Sequence, residues 1–248
     1  MMDITLYCLL AAVFLLAGLV KGVTGMGLPT VAVALLSLLM PLPAAAALLI
    51  IPSLVTNLLQ LFSGPALKAL CARLWPMMLC IIAGTLAASG LMRSGGAPRA
   101  GAGLGAVLAA YALFAFFSPQ LQISRRVERW LSPAAGLITG LLTGATGVFV
   151  LPAVPWLQSL SLDRHQLVQA LGLSFTLSTV ALAAGLYLHG IWQPGQLAMS
   201  TLAVLPAAIG MIIGGWIRGR ISAVLFRRGF LGLLLILGLE MCLKPLLG

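Results

Sequence analysis

Forty-six consecutive residues, from Gly22 to Leu67, carry no charged side chain, and a second such run of 53 extends from His165 to Ile217. A helix needs about 20 apolar residues to cross a hydrocarbon core roughly 30 Å thick, so each run must cross more than once. Runs of 17 residues (Ile4 to Val20) and 33 residues (Trp130 to Leu162) extend the pattern. With 61% hydrophobic and 7% charged residues and a mean hydropathy of +1.14, the chain reads as an all-α polytopic membrane protein.

Several other readings fall away. The most polar interval, "SPQLQISRRVERWLSP" (118–133), is too short to hold a core and reads as a connecting loop. The first apolar run lacks a basic leader and a small-residue cleavage signature, so it reads as a retained span. Cys8, Cys71, Cys80 and Cys242 have no paired spacing, which leaves metal and redox roles without support. A net charge of +10 invites a nucleic-acid reading, but these cations fall in short interhelical loops, where basic residues set topology.

The chain repeats itself. "GLVKGVTG" (18–25) lies without a gap over "GLLTGATG" (140–147), an offset of 122, and the same offset places Thr56 and Asn57 over Ser178 and Thr179. Arg99 and its glycine-rich span loosely match Arg227, Arg228 and theirs. We therefore read two homologous halves, 1–118 and 131–248, joined by a basic loop over 119–130 within one transmembrane domain. Pro, Gly and charge punctuation divides the first half into apolar segments at about 4–22, 28–40, 43–64, 74–92 and 100–118. It divides the second at about 131–146, 149–160, 165–188, 195–217 and 224–243. The second segment of each half is too short for a full crossing.

If every segment moves the chain to the opposite face, one face collects ten cations: Lys68, Arg73, Arg125, Arg126, Arg129, Arg164, Arg218, Arg220, Arg227 and Arg228. The other receives three, Arg93, Arg99 and Lys244. If the short segments return to the face they left, the division is five against seven, with Arg73 and Arg164 on opposite faces. The positive-inside rule favours the first, with the 118–133 loop cytoplasmic and both termini periplasmic. Five elements per half is odd, so the halves are expected as inverted repeats of 8–10 transmembrane elements, their short or broken helices meeting near the midplane.

Within that frame the glycines of the repeated motif read as helix breaks. Gly25, Met26 and Gly27 interrupt the helix after Thr24, and Pro29 suits the first turn of the next. Thr146 and Gly147 do the same in the second half, with Pro152 following. A helix starting at such a break offers free N–H groups and the positive end of its dipole to an anion. The expected anion site joins Lys21, Thr24, Gly25, Met26 and Gly27 to Thr143, Thr146, Gly147 and Val148. It is completed by Thr56, Asn57, Ser178 and Thr179. The second N-terminus is expected at Gly147 to Phe149. An ionisable residue such as Lys21 inside a span is a functional candidate by default.

Plainer duties compete. Gly18 with Gly22, and Gly140 with Gly144, form small-xxx-small patterns that let helices approach closely. Membrane Ser and Thr hydroxyls often bond their own helix backbone, and Lys21 can snorkel from a short helix to the interface. Glu240 reads as an ion-pair partner of Lys244, Asp163 with Arg164 as loop, and His165 and His189 as interfacial. Trp75, Trp130, Trp156 and Trp192 fall near segment ends, as an aromatic belt would. No acidic pair, His cluster or HExxH lies within the spans, so the expectation is a transporter and not an enzyme, with no cofactor.

"GLVKGVTGMG", a short apolar helix, a Thr-Asn in the next span and the repeat "GLLTGATGVF" together resemble the TauE/SafE sulfite exporter (TSUP) family. Members often carry proline at the position of Ala34 and more glycine at Phe149 and Val150. The resemblance implies export of sulfite, an organosulfonate or a related small anion across the bacterial inner membrane. The expected partners are that anion and the lipid bilayer, not nucleic acid, with a homodimer and a coupled proton or sodium ion left open. A proton- or cation-coupled permease for another solute and a non-transporting scaffold are the alternatives.

Overall fold

A computed structural model describes residues 4–94, 97–117, 122–192, 194–218, 220 and 223–247, and every regular element among them is helical. The first half contains α1 (Ile4–Thr24), α2 (Leu28–Leu36), α3 (Leu42–Leu48), α4 (Ile50–Leu61), α5 (Leu67–Ala88), α6 (Leu91–Ser94) and α7 (Ala97–Phe117). The second contains α8 (Arg125–Thr146), α9 (Ala153–Gln158), α10 (Arg164–Leu188), α11 (Pro194–Leu202), α12 (Val204–Ile217) and α13 (Ala223–Leu247). Four stretches are long and apolar enough to cross a bilayer, Ile4–Thr24, Leu67–Ala88, Arg164–Leu188 and Gln196–Ile217, and the bent pair α3–α4 would make a fifth. Large apolar side chains such as Leu59, Phe62, Ile212 and Ile236 face outward, as lipid contact requires.

Several expected segments are broken or displaced, and proline explains most of the breaks. The 43–64 segment is two helices meeting at 43° beside Leu49. Pro52 has no N–H to give Leu48, and its ring crowds that carbonyl, so the ladder fails there. The Ser200 hydroxyl on α11 repairs both loose ends, donating to the Leu48 carbonyl at 2.7 Å and accepting from the Ile51 N–H at 3.2 Å. Ser174 stands at the position equivalent to Pro52, and α10 runs straight through its 25 residues. Pro206, four residues after Leu202, separates α11 from α12 in the same way. The segment expected at 149–160 forms a helix only from Ala153, because Leu151 precedes a proline and is disfavoured as helix.

Two helices start earlier than their charges suggested. α5 begins at Leu67, so Lys68 and Arg73 lie on a helix and not in a loop. α8 begins at Arg125, which turns the second half of the expected 119–130 loop into helix; residues 118–121 lie outside the described ones. Arginine is a good helix former, and a boundary drawn at the first charge underrates it.

The early turns of α8 are tied down. Arg73 donates to both carboxylate oxygens of Glu128, at 2.6 and 2.7 Å, and to the Leu160 carbonyl at 2.8 Å. Leu160 is four residues from Arg164, a reach of about 14 Å at most, so Arg73 and Arg164 cannot occupy opposite faces of a roughly 30 Å core. Arg218, just past the end of α12, has its pKa held below the usual arginine value, first by burial and then by the nearby Arg164 guanidinium. Arg73, Arg164 and Arg218 thus lie toward the same end of the helix bundle.

The most extensive helix pairs all join the two halves: α5 with α8, α1 with α12, α7 with α13, and α10 with both α4 and α5. The offset of 122 carries α1 onto α8 and carries α5 onto 189–210, which overlaps α11 and the first half of α12, so the α1–α12 and α5–α8 pairings are reciprocal. Glycine allows the close approach. A Cβ on Gly18 would stand 2.1 Å from the Ala207 carbonyl oxygen, and one on Gly140 would stand 2.3 Å from that of Ile81. The small-xxx-small glycines therefore form helix seams. Trp75 and Trp130 are exposed as belt residues would be, whereas the indole of Trp156 bonds Ser132 at 2.9 Å and Trp192 is half-buried with its Nε1 inside. Glu240 is exposed, and the side chain of Lys244 lies outside the described residues.

Candidate functional site

Lys21 lies in the last turn of α1 and is 3% exposed. Its Nζ donates to Thr56 Oγ1 at 3.1 Å and to Asn57 Oδ1. Asn57 Nδ2 donates to Thr179 Oγ1 at 3.2 Å, and Thr179 passes its own proton to the Phe175 carbonyl at 2.7 Å. Thr56 likewise donates back to the Pro52 carbonyl at 2.8 Å, leaving its lone pairs for the lysine. The chain of donors runs one way, from the ammonium across to α10. These bonds use two of three ammonium N–H groups and one of two amide N–H groups. Asn57 and Thr179 are equivalent under the repeat, so the halves touch at their own counterparts.

The only ion pair among the described residues is that of Arg73 with Glu128. As an ammonium, Lys21 thus has neutral partners alone among the described residues, plus the carbonyl-rich end of its helix. A buried charge without a counter-charge costs several kcal/mol, and a helix terminus returns only about 0.3–1 kcal/mol. Such a group is most stable with an anion beside it.

The first break is built as expected. Gly25 and Gly27 adopt φ of 79° and 98°, and Pro29 falls in the first turn of α2. The Thr24 hydroxyl lies 2.8 Å from the Val20 carbonyl and 2.6 Å from that of Met26, and accepts from the Met26 N–H at 3.2 Å. A Cβ placed on Gly25 would meet nothing within 4 Å, so there is room on that side of the break. Gln60 reaches it, with Nε2 on the Gly25 carbonyl at 2.8 Å and a buried Oε1 that has no partner.

The second break repeats this chemistry in part. Thr146 donates to the Leu142 carbonyl at 2.7 Å and accepts from the Val148 N–H at 3.3 Å, and Gly147 has φ 75°. No helix starts at Gly147 to Phe149, however. Val148 to Val150 form a fully buried non-helical stretch, with Phe149 tilted against Phe175 at 5.5 Å between ring centres. The amide-rich helix start expected there is therefore absent. Thr143 donates to the Thr139 carbonyl at 2.7 Å, and its oxygen faces the Val148 carbonyl at 3.5 Å. Ser178, fully buried, has no partner for its hydroxyl.

The structure therefore brings together Lys21, Thr56, Asn57 and Thr179. It sets Thr24, Gly25, Met26 and Gly27 beside them, leaves Thr143, Thr146, Gly147 and Val148 at the second break, and leaves Ser178 buried on α10 without a partner. Ser53 and Gln60 went unremarked in the sequence, although Ser53, Thr56, Asn57 and Gln60 follow the i, i+3, i+4, i+7 spacing of one helix face. Gln169 was also missed: it clamps the turn after α4, donating to the Leu61 and Gly64 carbonyls and accepting from the Ala66 N–H at 2.9 Å. Its partners are backbone atoms, which leave no sequence signal.

The sequence profile of the family described as sulfite exporter TauE/SafE matches residues 10–241, nearly the whole chain. The chain belongs to that family. No curated protein and no solved structure matches it. Membership of TauE/SafE makes it a multi-pass membrane protein of the sulfite-exporter type of transporter.

Proposed function

We propose that this TauE/SafE protein exports a small sulfur-containing or organic anion, sulfite or an organosulfonate, across the bacterial inner membrane. One observation carries the reading: a buried lysine between the halves, held by a hydroxyl and an amide, with no carboxylate. In this reading the anion occupies the open side of Gly25. Lys21 supplies the counter-charge, the spare Asn57 amide hydrogen and the first amides of α2 orient its oxygens, and Thr56 and Thr179 hold the lysine and asparagine in place.

The halves 1–118 and 131–248 act as inverted repeats around the Asn57–Thr179 contact, with the 118–133 end cytoplasmic and the termini periplasmic. Access alternates by movement of the cross-half pairs α1–α12 and α5–α8, because motion of one sequence half against the other would tear both glycine seams. A monovalent anion leaving an inside-negative cell is driven by about 2.3 kcal/mol per 100 mV.

The test is counterflow of labelled sulfite and of short alkylsulfonates in proteoliposomes. Wild type exchanges at least one of them, and Lys21→Met and Asn57→Ala lose that exchange. Wild-type rates in both variants would place the anion elsewhere.

A further inference from the structure

The side chain of Gln60 is half used. It is 9% exposed, its Nε2 donates to the Gly25 carbonyl at 2.8 Å, and its Oε1 is buried with no partner among the described residues. Exchanging the oxygen and nitrogen of the amide would set two acceptors face to face at Gly25, so that carbonyl fixes which atom is left over. A buried acceptor without a donor is unfavourable, and one that meets a donor on a ligand is not.

The leftover oxygen lies beside the Lys21 network. Two rungs of equal sequence separation bridge α1 and α4: Lys21 to Thr56, and Gly25 to Gln60, each 35 residues apart. The Gly25 N–H bonds the Lys21 carbonyl at 2.7 Å, and Gln60 follows Thr56 by four residues, so the rungs are one helical turn, about 5.4 Å, apart. Oxygen and nitrogen of one amide are about 2.2 Å apart, which keeps Oε1 within about 5 Å of the Gly25 carbonyl oxygen. A Cβ on Gly25 would meet nothing within 4 Å, so free space adjoins this end of the ladder.

We propose that the site selects a monoanion that carries its own hydrogen-bond donor, and that Gln60 Oε1 is the acceptor that reads it. This rests on the anion reading and narrows its substrate. The Lys21 ammonium takes the negative end of the ligand, one charge against one, and an O–H or N–H elsewhere on the ligand donates to Oε1. Hydrogensulfite has that chemistry, and so does a hydroxyalkylsulfonate. The sulfite dianion and sulfate lack it, because they bring two charges to one ammonium and only acceptors to Gln60. An unsubstituted alkylsulfonate has the right charge but leaves Oε1 unmatched. A site built to pair with a substrate hydroxyl rejects the analogue without it more sharply than an apolar pocket rejects a missing methylene.

The experiment is competition against counterflow in proteoliposomes at one fixed, mildly acidic pH, where hydrogensulfite prevails over sulfite. Labelled hydrogensulfite and labelled 2-hydroxyethanesulfonate are run separately, which tells which of the two is carried. The competitors are 2-hydroxyethanesulfonate, ethanesulfonate and sulfate. With wild type, 2-hydroxyethanesulfonate is expected to inhibit at about one-tenth the concentration of ethanesulfonate, and sulfate is expected not to inhibit. Gln60→Met keeps the length of the side chain and removes the acceptor, so the two sulfonates should then inhibit equally. Their ratio is internal to each protein, so a smaller folded fraction of Gln60→Met lowers the rates and leaves the ratio unchanged. Equal inhibition of wild type by the two sulfonates, or none by either, overturns the proposal whether or not Gln60→Met folds. A preference that survives in Gln60→Met overturns the role of Gln60. Counterflow without the preference sinks this proposal alone, whereas wild type that moves neither labelled anion sinks the anion reading as well.

Discussion

Lys21 is a charge that the fold tolerates more than needs, and this fixes the sign of its replacement. Removing one member of a buried ion pair strands the other, but Lys21 has no charged partner among the described residues to strand. Lys21→Met keeps the length of the side chain and removes the cost of burying charge, while the Asn57 carbonyl loses one acceptor bond. The two effects are each on the order of 1–3 kcal/mol and oppose. Lys21→Met is therefore expected to keep its Tm within about 4 °C of wild type, or above it, while anion counterflow disappears. Thermal unfolding in detergent checks the first half of that statement. A large fall in Tm would mean that the lysine is structural. At this scale the sequence was legible where residues are chemically costly: a lysine, an asparagine and paired hydroxyls in apolar surroundings announce themselves. Gln169 and Ser200 did not, because their role is set by loose backbone ends that only the bent chain creates.

Helical elements were legible to the extent that glycine and proline punctuate them. The break at Gly25 to Gly27 follows from residues suited to left-handed backbone followed by a proline suited to a first turn. The bend at Leu49 was not drawn from the sequence although Pro52 was in view, because a proline inside an apolar run can also be absorbed by a span, as Pro76 is in α5. What distinguishes them is the partner of the freed carbonyl, and for Leu48 that partner comes from α11. The seam glycines give a test at this scale. Gly140→Ala would drive its methyl to 2.3 Å from the Ile81 oxygen, whereas a Cβ on Gly101 or Gly215 would meet nothing within 4 Å. The first should destabilise by about 1–3 kcal/mol as α5 and α8 are forced apart. Gly101→Ala and Gly215→Ala should raise stability by roughly 0.5–1 kcal/mol through helix propensity alone. Equal Tm values for the three variants would mean that the seam yields without cost.

At the scale of the whole molecule, the helices of 4–117 and those of 125–247 do not form two separate bodies. Each half keeps few extensive contacts within itself, chiefly α1 on α2, while its long helices lie against those of the other half. In lipid, where no hydrophobic drive brings helices together, close packing and hydrogen bonds across the seams hold the assembly. The Arg73–Glu128 pair and the Asn57–Thr179 bond also cross between halves. The covalent link over 118–124 should then matter for yield more than for architecture. Two chains, 1–120 and 121–248, expressed together are expected to co-purify through a tag on either one and to support the same anion counterflow as the intact chain. Either chain expressed alone should aggregate or be degraded, with exposed glycine seams and Lys21 deprived of the Thr179 end of its network. The readout is co-elution from a size-exclusion column in detergent, followed by counterflow of the reconstituted pair. Independent stability of either chain would mean that the halves fold as separate bodies, and would remove the physical reason for assigning the transport motion to α1–α12 and α5–α8.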